Sequence, residues 1–327
     1  MRMTSLGKSG LQVSEIGFGL AAIARPGYIN LGRKEDLGED RSVDVLRQKA
    51  HDLLDAAYAR GIRYVDAARS YGLAEDFLAS WLDGRELGPD DITVGSKWGY
   101  RYTADWRVGA SVNEIKDHSL ANLRRQLAES RALLGDRLRL YQIHSATIES
   151  GVLENRDVLD ELRRMAESGL AIGLTVSGPR QADIIRRALR VRVDGRSLFS
   201  SVQATWNLLE PSVEFALGEA RDAGLGIIVK EVLANGRLMP QPDKQLPGAL
   251  ASLSTWVGRT ADAVAIAAAL AQPWSGVVLS GAVTPEQLSS NLAALDLKLS
   301  AGDLFELTAL AEPTEKYWAT RAALPWS

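Results

Sequence analysis

Residues 59–65, ARGIRYV, place a glycine between a helix-like segment and a short apolar run. The same order recurs at residues 167–174, ESGLAIGL, and at residues 222–229, DAGLGIIV. Glycine commonly follows the last turn of a helix because it adopts the left-handed backbone conformation at little cost. A short apolar run directly after it is typical of a strand that is buried on both faces. The repeat therefore predicts helices that lead into buried strands.

Helical periodicity precedes these glycines, since apolar residues recur at three- and four-residue steps from Val43 to Ala57 and from Leu159 to Ala166. Further apolar runs complete a set of predicted strands at residues 16–19, 62–65, 92–96, 138–143, 170–174, 201–205, 225–229 and 276–279. The helices predicted after them lie near residues 43–60, 72–83, 111–133, 155–168, 179–191, 211–223, 260–271 and 285–295.

Strict alternation of strand and helix implies a parallel sheet, and eight such units close into a barrel. A doubly wound open sheet is the alternative, but it normally has a G-x-G-x-x-G turn after its first strand. Residues 17–22 read GFGLAA and lack the third glycine. We therefore predict an α/β fold, a (β/α)8 TIM barrel that forms a single domain over residues 1–327, with an extra C-terminal helix and a tail.

The composition is that of an ordinary globular protein, with 327 residues, 46% hydrophobic and 24% charged, and a formal net charge of −3. This charge does not favour nucleic-acid binding. The absence of cysteine excludes disulfides and thiolate nucleophiles, and with three histidines we expect no metal centre. No apolar run at the N-terminus or elsewhere is long enough for a signal peptide or a membrane span, so we expect a cytoplasmic protein. The sequence carries no signal for an oligomeric state.

Polar side chains follow consecutive predicted strands. Asp66 ends the second strand, Tyr71 lies five residues further on, Lys97 ends the third strand and His144 ends the fourth. Long loops near residues 20–42, 98–110 and 231–248 also follow strands, and barrel enzymes build their sites at this end. The four side chains are therefore expected to converge on one rim. The other two histidines fall within predicted helices away from that rim, and we interpret both as structural: His51 and His118.

Each of the four has a structural explanation when taken alone. Asp66 could cap a helix, Tyr71 could pack, Lys97 could be a solvated charge, and His144 could be a satisfied structural group. Together they suit carbonyl reduction. A tyrosine hydroxyl, with a reference pKa of about 10, is a poor acid near neutrality, and a nearby cation lowers that pKa. We expect Lys97 to act in this way with Asp66 fixing it, and His144 to polarise a carbonyl. The missing electron source would be a nicotinamide.

Two segments resemble the aldo-keto reductase family. Residues 6–19, LGKSGLQVSEIGFG, are similar to its N-terminal segment, and residues 61–72, GIRYVDAARSYG, are similar to its most specific motif. The resemblance covers essentially the whole chain. It implies an N-terminal hairpin that closes the barrel floor. It also implies that the catalytic residues of the family correspond to Asp66, Tyr71, Lys97 and His144.

The resemblance further implies a nicotinamide site. Gln203 matches the family glutamine that holds the carboxamide, and Thr175 with Val176 replaces the usual Ser-Asn pair. Lys230 stands where the family has an aromatic residue that stacks on the nicotinamide. We expect either that Trp206 or another ring substitutes for it, or that the cofactor lies differently. The remaining implied cofactor contacts are Gly19, Leu233, Asn235, Gly236, Ser280, Gly281, Ala282, Gln287 and Asn291.

Residues 279–291, LSGAVTPEQLSSN, resemble the adenosine-phosphate site of the family. Backbone amides at a helix start suit an anion, and Asn291 matches the residue that contacts the adenine. Family members that prefer the 2′-phosphate usually place lysine or arginine here, and this segment has neither. NADP(H) is the family default, and NAD(H) is the alternative that the missing basic residues favour.

The long loop after the third predicted strand begins WGYRYTADWR, residues 98–107. Its aromatic and arginine residues could line a pocket for a sugar-like or anionic carbonyl compound, or could pack the loop onto the barrel. The substrate candidates are Trp98, Tyr100 and Trp106, and the tail residues Trp318 and Trp326 are expected to cover the site.

The most favoured function is that of a nicotinamide-dependent oxidoreductase that reduces a small aldehyde or ketone to an alcohol by hydride transfer, with Tyr71 as general acid. A Schiff-base aldolase or lyase is the first alternative, with Lys97 or Lys230 as nucleophile. A non-enzymatic regulatory subunit that binds the cofactor is the second alternative.

Overall fold

The computed structural model of the chain describes residues 1–240 and 245–326. In this part of the chain, eight parallel strands form a closed barrel in which chain neighbours pair and the last strand pairs with the first. The predicted (β/α)8 barrel is therefore confirmed. The barrel strands are Ile16–Gly19, Tyr64–Asp66, Thr93–Trp98, Leu138–Ala146, Ala171–Val176, Ser201–Thr205, Gly226–Lys230 and Val277–Ser280.

A helix follows each barrel strand. Gly61, Gly169 and Gly224 have φ angles of 91°, 93° and 92°, so they end helices in the left-handed conformation that the sequence repeat predicts. No helix within the described residues is long and apolar enough to cross a membrane. The helices after the strands are Val43–Ala59, Ala74–Gly84, Leu120–Leu134, Arg156–Glu167, Gln181–Ala188, Glu214–Asp222, Ala261–Leu270 and Pro285–Leu292; the others are Arg33–Leu37, Gly248–Val257, Ala301–Leu307 and Thr314–Ala322.

The helix predicted at residues 111–133 is wrong at its start. Tyr100–Tyr102 pairs antiparallel with Glu114–Lys116 and forms a hairpin. The helix begins only at Leu120, because the Ser119 hydroxyl accepts a hydrogen bond from the Asn122 amide and caps the helix there. A second short hairpin, Arg192–Val193 with Arg196–Ser197, was also not predicted.

The N-terminal hairpin closes one end of the barrel, as predicted. Met3–Ser5 pairs with Gln12–Ser14, and the Lys8 amide donates a 2.9 Å hydrogen bond to the carbonyl of Gly224. Three buried side chains of this segment, which we call the floor plug, pack against barrel residues including Tyr64, Leu140 and Ile228. The floor plug consists of Leu6, Leu11 and Val13.

The opposite end of the barrel, the mouth, carries the long loops and the C-terminal helix Thr314–Ala322. The Asn207 side-chain amide donates a 2.9 Å hydrogen bond to the Tyr317 hydroxyl, which ties this helix to the sixth strand. Arg237 and Glu312 form a 2.6 Å ion pair that ties the preceding segment to the seventh-strand loop. The predicted extra C-terminal helix is confirmed, and it is anchored at the mouth.

The first long loop is organised from inside by Arg33, whose side chain is buried. Its guanidinium donates hydrogen bonds to the carbonyls of Ala22 at 2.6 Å, of Pro26 at 2.9 Å and of Arg25. Because these bonds fix the turn of the loop, the side chain of Arg25 is held over the mouth.

Candidate active site

Asp66 and Lys97 form a buried ion pair at the ends of neighbouring strands. The Lys97 ammonium also donates a 2.9 Å hydrogen bond to the carbonyl of Ala67. The second Asp66 oxygen accepts from the Tyr64 hydroxyl at 3.1 Å and from the Gln203 amide at 2.9 Å. A buried carboxylate needs such partners, because desolvation of an unpaired charge is costly. The pair is thereby fixed in position.

Tyr71 lies beside this pair, in a turn where the next residue must be glycine. Gly72 has a φ of 60°, and a Cβ there would come within 2.5 Å of the Ala24 carbonyl oxygen. The Lys97 ammonium lies 4.6 Å from the centre of the Tyr71 ring, and the Arg25 guanidinium carbon lies 5.1 Å from it. The Tyr71 hydroxyl makes no hydrogen bond with the described residues and is directed to the cavity described below.

The pKa of Tyr71 differs from our expectation. Burial, with the charge of Asp66 as a further cause, raises the pKa of Tyr71 well above 10. The expected lowering is therefore wrong, because burial and the charge of Asp66 outweigh the lowering effect of a nearby cation, Arg25. Tyr71 is a neutral hydroxyl, which is the form that donates a proton.

His144 faces Tyr71 with ring centres 5.4 Å apart in an edge-to-face arrangement. Its Nδ1 lies 3.3 Å from the Ser70 hydroxyl, and its Nε2 has no hydrogen-bond partner among the described residues. Burial, followed by the charges of Lys97 and Lys230, lowers the pKa of His144 well below 6.5. The imidazole is therefore neutral and keeps one N–H.

His118 is closer to this group than predicted. It lies outside the helix, contacts the ring of Trp98 edge-on at 5.5 Å, and its Nε2 is 2.9 Å from the His144 carbonyl. Since burial lowers the pKa of His118 to about 4, it acts here as a neutral support for the fourth strand. His51 bonds the Phe77 carbonyl on a neighbouring helix, in agreement with a structural role.

Asp66, Tyr71 and His144 line one cavity of about 430 Å³, whereas Lys97 lies behind Asp66. The cavity extends along the strand ends to the start of helix Pro285–Leu292. Most of the candidate cofactor and substrate residues are in its wall: Gly19, Tyr100, Gln203, Lys230, Leu233, Asn235, Ser280, Gly281, Ala282, Gln287 and Asn291.

Two implied cofactor residues lie outside this wall. Thr175 is fully buried, and its hydroxyl accepts a 2.7 Å hydrogen bond from the Ser145 amide. Ser177, two residues further on, takes the place in the wall. Gly236 has a φ of 87°, and a Cβ there would come within 2.9 Å of the Leu31 carbonyl oxygen. It therefore shapes the loop rather than facing the cavity.

The tryptophan candidates are also corrected. Trp98 is fully buried beneath the mouth, and the Trp106 indole donates a 2.9 Å hydrogen bond to the Arg41 carbonyl. Trp206 donates to Glu214 at 2.9 Å and packs edge-on against Trp274. None of the three lines the cavity, so Trp206 does not replace the missing stacking ring.

Several cavity residues were not singled out from the sequence. Arg25 pairs with Glu114, and its guanidinium carbon lies 4.6 Å from the ring centre of Tyr28 and 5.0 Å from that of Trp326. Trp326 and Trp318 both line the cavity, as the tail was expected to do. The further residues are Lys116, Ser145, Thr147, Ser177, Glu231 and Arg321. They come from separate strands, loops and the C-terminal helix, so only the three-dimensional fold brings them together.

Three charged side chains meet at the end of the seventh strand: Lys230, Glu231 and, from the C-terminal helix, Arg321. The Lys230 ammonium donates hydrogen bonds to the hydroxyls of Thr205 at 2.6 Å and of Ser177 at 2.9 Å. Arg321 binds both carboxylate oxygens of Glu231. Burial lowers the pKa of Lys230 to about 8, while Arg321 and then Lys230 lower the pKa of Glu231 to about 2 against the opposing effect of burial.

The far end of the cavity has a different chemistry. Asn291 donates a 2.7 Å hydrogen bond to the buried carboxylate of Asp262 and accepts one at 2.8 Å from Ser280. Gln287 donates a 2.6 Å hydrogen bond to Asp36, from the short helix of the first loop. Acidic groups therefore orient both amides.

The cavity fits a nicotinamide dinucleotide. It joins the neutral donors Tyr71 and His144 to a helix start, where backbone amides suit an anionic group. A Cβ on Gly281 would meet nothing within 4 Å, which leaves the backbone accessible there. Asn235 Oδ1 is buried without a partner among the described residues, in the cavity wall, and can bind a ligand donor.

Comparison with known proteins agrees with this geometry. The sequence model of the Aldo/keto reductase family matches residues 27–312. The chain is 26% identical to D-threo-aldose 1-dehydrogenase from a Pseudomonas species, over 91% of this chain and 94% of that protein. It is 25% identical to an oxidoreductase of Bacillus subtilis, over 91% and 92% of the two chains.

Among solved structures, an aldo-keto reductase from Bacillus halodurans in its holo form superposes with a TM-score of 0.73 at 24% identity, covering 95% of this chain and 97% of that chain. This likeness supports the fold. The comparisons give no support to the Schiff-base or regulatory alternatives. The chain belongs to the aldo/keto reductase family and is an NAD(P)H-dependent oxidoreductase.

Proposed function

We propose that Tyr71 donates a proton to the carbonyl oxygen of a small substrate while hydride adds to the carbonyl carbon, which gives an alcohol. A bound nicotinamide supplies the hydride. One observation carries the assignment of roles. Tyr71 and His144 lie edge to face at 5.4 Å in one cavity, and the Tyr71 hydroxyl and His144 Nε2 make no hydrogen bond with the described residues. Both ends are therefore directed at the place where a carbonyl oxygen would bind.

The supporting residues set the protonation states. We assign the Ser70 hydroxyl as the donor in its 3.3 Å contact with His144 Nδ1, which places the imidazole proton on Nε2, facing the cavity. Asp66 holds Lys97, and it also holds the amide nitrogen of Gln203. The Gln203 carbonyl oxygen is then the group that accepts from a carboxamide N–H. Asp66 fixes Lys97 in place, and the Lys97 ammonium stabilises the negative charge that develops on Tyr71 when its proton leaves.

Tyr71→Phe tests this proposal because it removes only the hydroxyl. We expect turnover to fall by about 100-fold or more, and the affinity for the cofactor to stay within a few-fold by calorimetry. Tyr58→Phe is the matched control, since Tyr58 stacks on Arg63 outside the cavity. Wild-type turnover in the Tyr71→Phe protein would refute the role of Tyr71.

We further propose that NAD(H) is preferred over NADP(H). Asp36 lies 2.6 Å from Gln287 at the far end of the cavity, and Glu286 lies in the first turn of the adjoining helix. A carboxylate accepts from a ribose hydroxyl and repels a 2′-phosphate. Calorimetry with NADH and NADPH should show tighter binding of NADH. The Asp36→Asn substitution should reduce the difference in affinity between the two cofactors. Tighter binding of NADPH by the wild-type protein would overturn this preference.

For the substrate, we propose a polyhydroxylated, sugar-like aldehyde, the open-chain form of an aldose. The cavity wall contains the hydroxyls of Ser145, Thr147 and Ser177, together with the charged residues Glu114 and Lys116. The similarity to D-threo-aldose 1-dehydrogenase also supports this class. Comparison of kcat/KM for aldoses, α-keto acids and aromatic aldehydes of similar size checks the proposal. The highest value should belong to an aldose, and a strong preference for either of the other classes would refute it.

A further inference from the structure

Lys230 supplies a charge that no neighbour fully neutralises. The other charged groups in or directly behind the inner wall of the cavity form contact pairs within the described residues, Asp66 with Lys97, Arg25 with Glu114, and Glu231 with Arg321. The Lys230 ammonium lies 3.9 Å from Glu231, whose two oxygens already receive hydrogen bonds from Arg321 and Thr205. The exposed cation Lys116, on the outer hairpin, is screened by solvent. The inner wall therefore has an excess of one positive charge at Lys230.

The position of this charge is fixed. Hydrogen bonds to Thr205 and Ser177 occupy two of its three N–H groups, and the side chain is 15% exposed. Lys230 lines the same cavity as Tyr71, His144 and Gln203. It is also close enough to His144 to be among the charges that lower the pKa of that imidazole. A ring that delivers hydride to a carbonyl held by Tyr71 and His144 must lie within the field of Lys230.

We infer that Lys230 makes this protein bind reduced nicotinamide more tightly than oxidised nicotinamide, an inference that rests on the proposed cofactor site. The oxidised ring carries a positive charge and the reduced ring is neutral. A fixed ammonium in a partly buried wall therefore destabilises the oxidised form only. In reduction the protein loads the reduced cofactor and releases the oxidised cofactor, so Lys230 favours that direction. Lys230 therefore sets the relative affinity for the two forms of the cofactor, and it does not act as a proton donor.

The test is the ratio of two dissociation constants, measured by calorimetry with NADH and NAD⁺, and with the phosphorylated pair if that pair binds better. The wild-type protein should bind the reduced form about tenfold or more tightly, the order expected for one charge acting over several ångströms. Lys230→Met should bring the ratio towards one, mainly through tighter binding of the oxidised form. Lys8→Met is the charge-matched control, because Lys8 lies on the floor hairpin at the other end of the barrel, and its ratio should equal that of the wild type.

A titration of pH adds a second readout. The groups that face Lys230 are Glu231, Arg321, Lys97, Asp66 and His144. Because the pKa of Lys230 is about 8, the wild-type affinity for the oxidised form should rise as the pH increases from 7 to 9.5. This rise should be absent in Lys230→Met. A rise that persists in that variant would assign the effect to Lys97 and refute the inference.

The outcomes are distinguishable. If the wild-type protein binds neither form, the proposed function itself fails. If it binds the oxidised form at least as tightly as the reduced form, or if Lys230→Met leaves the ratio unchanged, only the inference about Lys230 fails. Should Lys230→Met not fold, Lys230→Gln retains a donor for Thr205 and Ser177 and serves for the same comparison.

Discussion

Different forces stabilise the two ends of the barrel, the floor and the mouth. At the floor, the plug residues Leu6, Leu11 and Val13 are buried among apolar side chains. At the mouth, the buried groups include Asp66 and Lys97, which are stable there only as partners. Apolar burial is non-directional, whereas a desolvated ion pair fixes the position of every atom in it. The floor therefore contributes stability alone, and changes at the mouth should alter stability and activity together.

The largest effect is expected at the mouth. Lys97→Met leaves the Asp66 carboxylate buried without its cation, so unfolding in urea should show a loss of about 3–5 kcal/mol. Turnover should fall by about 100-fold, since Tyr71 loses its neighbouring charge. Asp66→Asn combined with Lys97→Met should recover part of the stability and none of the turnover. Full stability in the single variant would contradict the comparison of the two ends.

The matching change at the floor is Leu6→Ala. Leu6 is 1% exposed, and a Cβ on Gly226 of the seventh strand would come within 2.5 Å of its side chain. Loss of this buried side chain should lower the free energy of unfolding by about 3 kcal/mol. The kcat/KM of the folded protein should not change, because the plug does not reach the cavity. A fall in kcat/KM at temperatures well below the melting transition would show that the two ends are coupled.

A smaller effect is expected where the C-terminal helix is tied to the mouth. Glu231→Gln weakens the hydrogen bonds from Arg321 and should cost about 2 kcal/mol at neutral pH. The pKa of Glu231 is about 2 in the folded protein and about 4.3 in an unfolded chain, so its contribution is complete above 4.3 and is lost as the pH falls towards 2. Over that interval wild-type stability should fall more steeply than that of the variant. Parallel curves would exclude the ion pair as the cause.

The smallest effect is an expected absence of change. His144 stays neutral because its pKa is well below 6.5, and Tyr71 stays protonated because its pKa is well above 10. With saturating reduced cofactor, carbonyl reduction should therefore vary less than about twofold in kcat/KM between pH 6 and 8. A decline on going from pH 7 to 6 would mean that His144 takes up a proton, against the assignment made above.

The contrast between the ends also determines what could be predicted from the sequence. The barrel, and the meeting of Asp66, Tyr71, Lys97 and His144 at its mouth, followed from a repeated order of helix, glycine and strand, because polar residues at the ends of parallel strands must meet. The direction of the Tyr71 pKa shift could not be predicted, since its largest cause is burial, which depends on how distant segments pack around the ring.

The remaining site residues depend on contacts between distant loops. The wall position held by Ser177 in place of Thr175 is set by a hydrogen bond from the Ser145 amide, on the neighbouring strand. Asp36 and Gln287 are 251 positions apart in the chain, so no local sequence pattern could have predicted their hydrogen bond. For Arg25, a buried arginine among aromatic side chains, the only sequence signal is its presence in an unusually long loop.

Because tryptophan side chains lie in the cavity wall, the intrinsic fluorescence of the protein should report cofactor binding. Trp318 and Trp326 line the cavity, while Trp81 and Trp98 are sealed in the core. Reduced nicotinamide absorbs light in the range where tryptophan emits, and energy transfer between two such groups falls steeply with distance. Since these two indoles line the cavity itself, Trp326→Phe and Trp318→Phe should each reduce the quenching that accompanies cofactor binding.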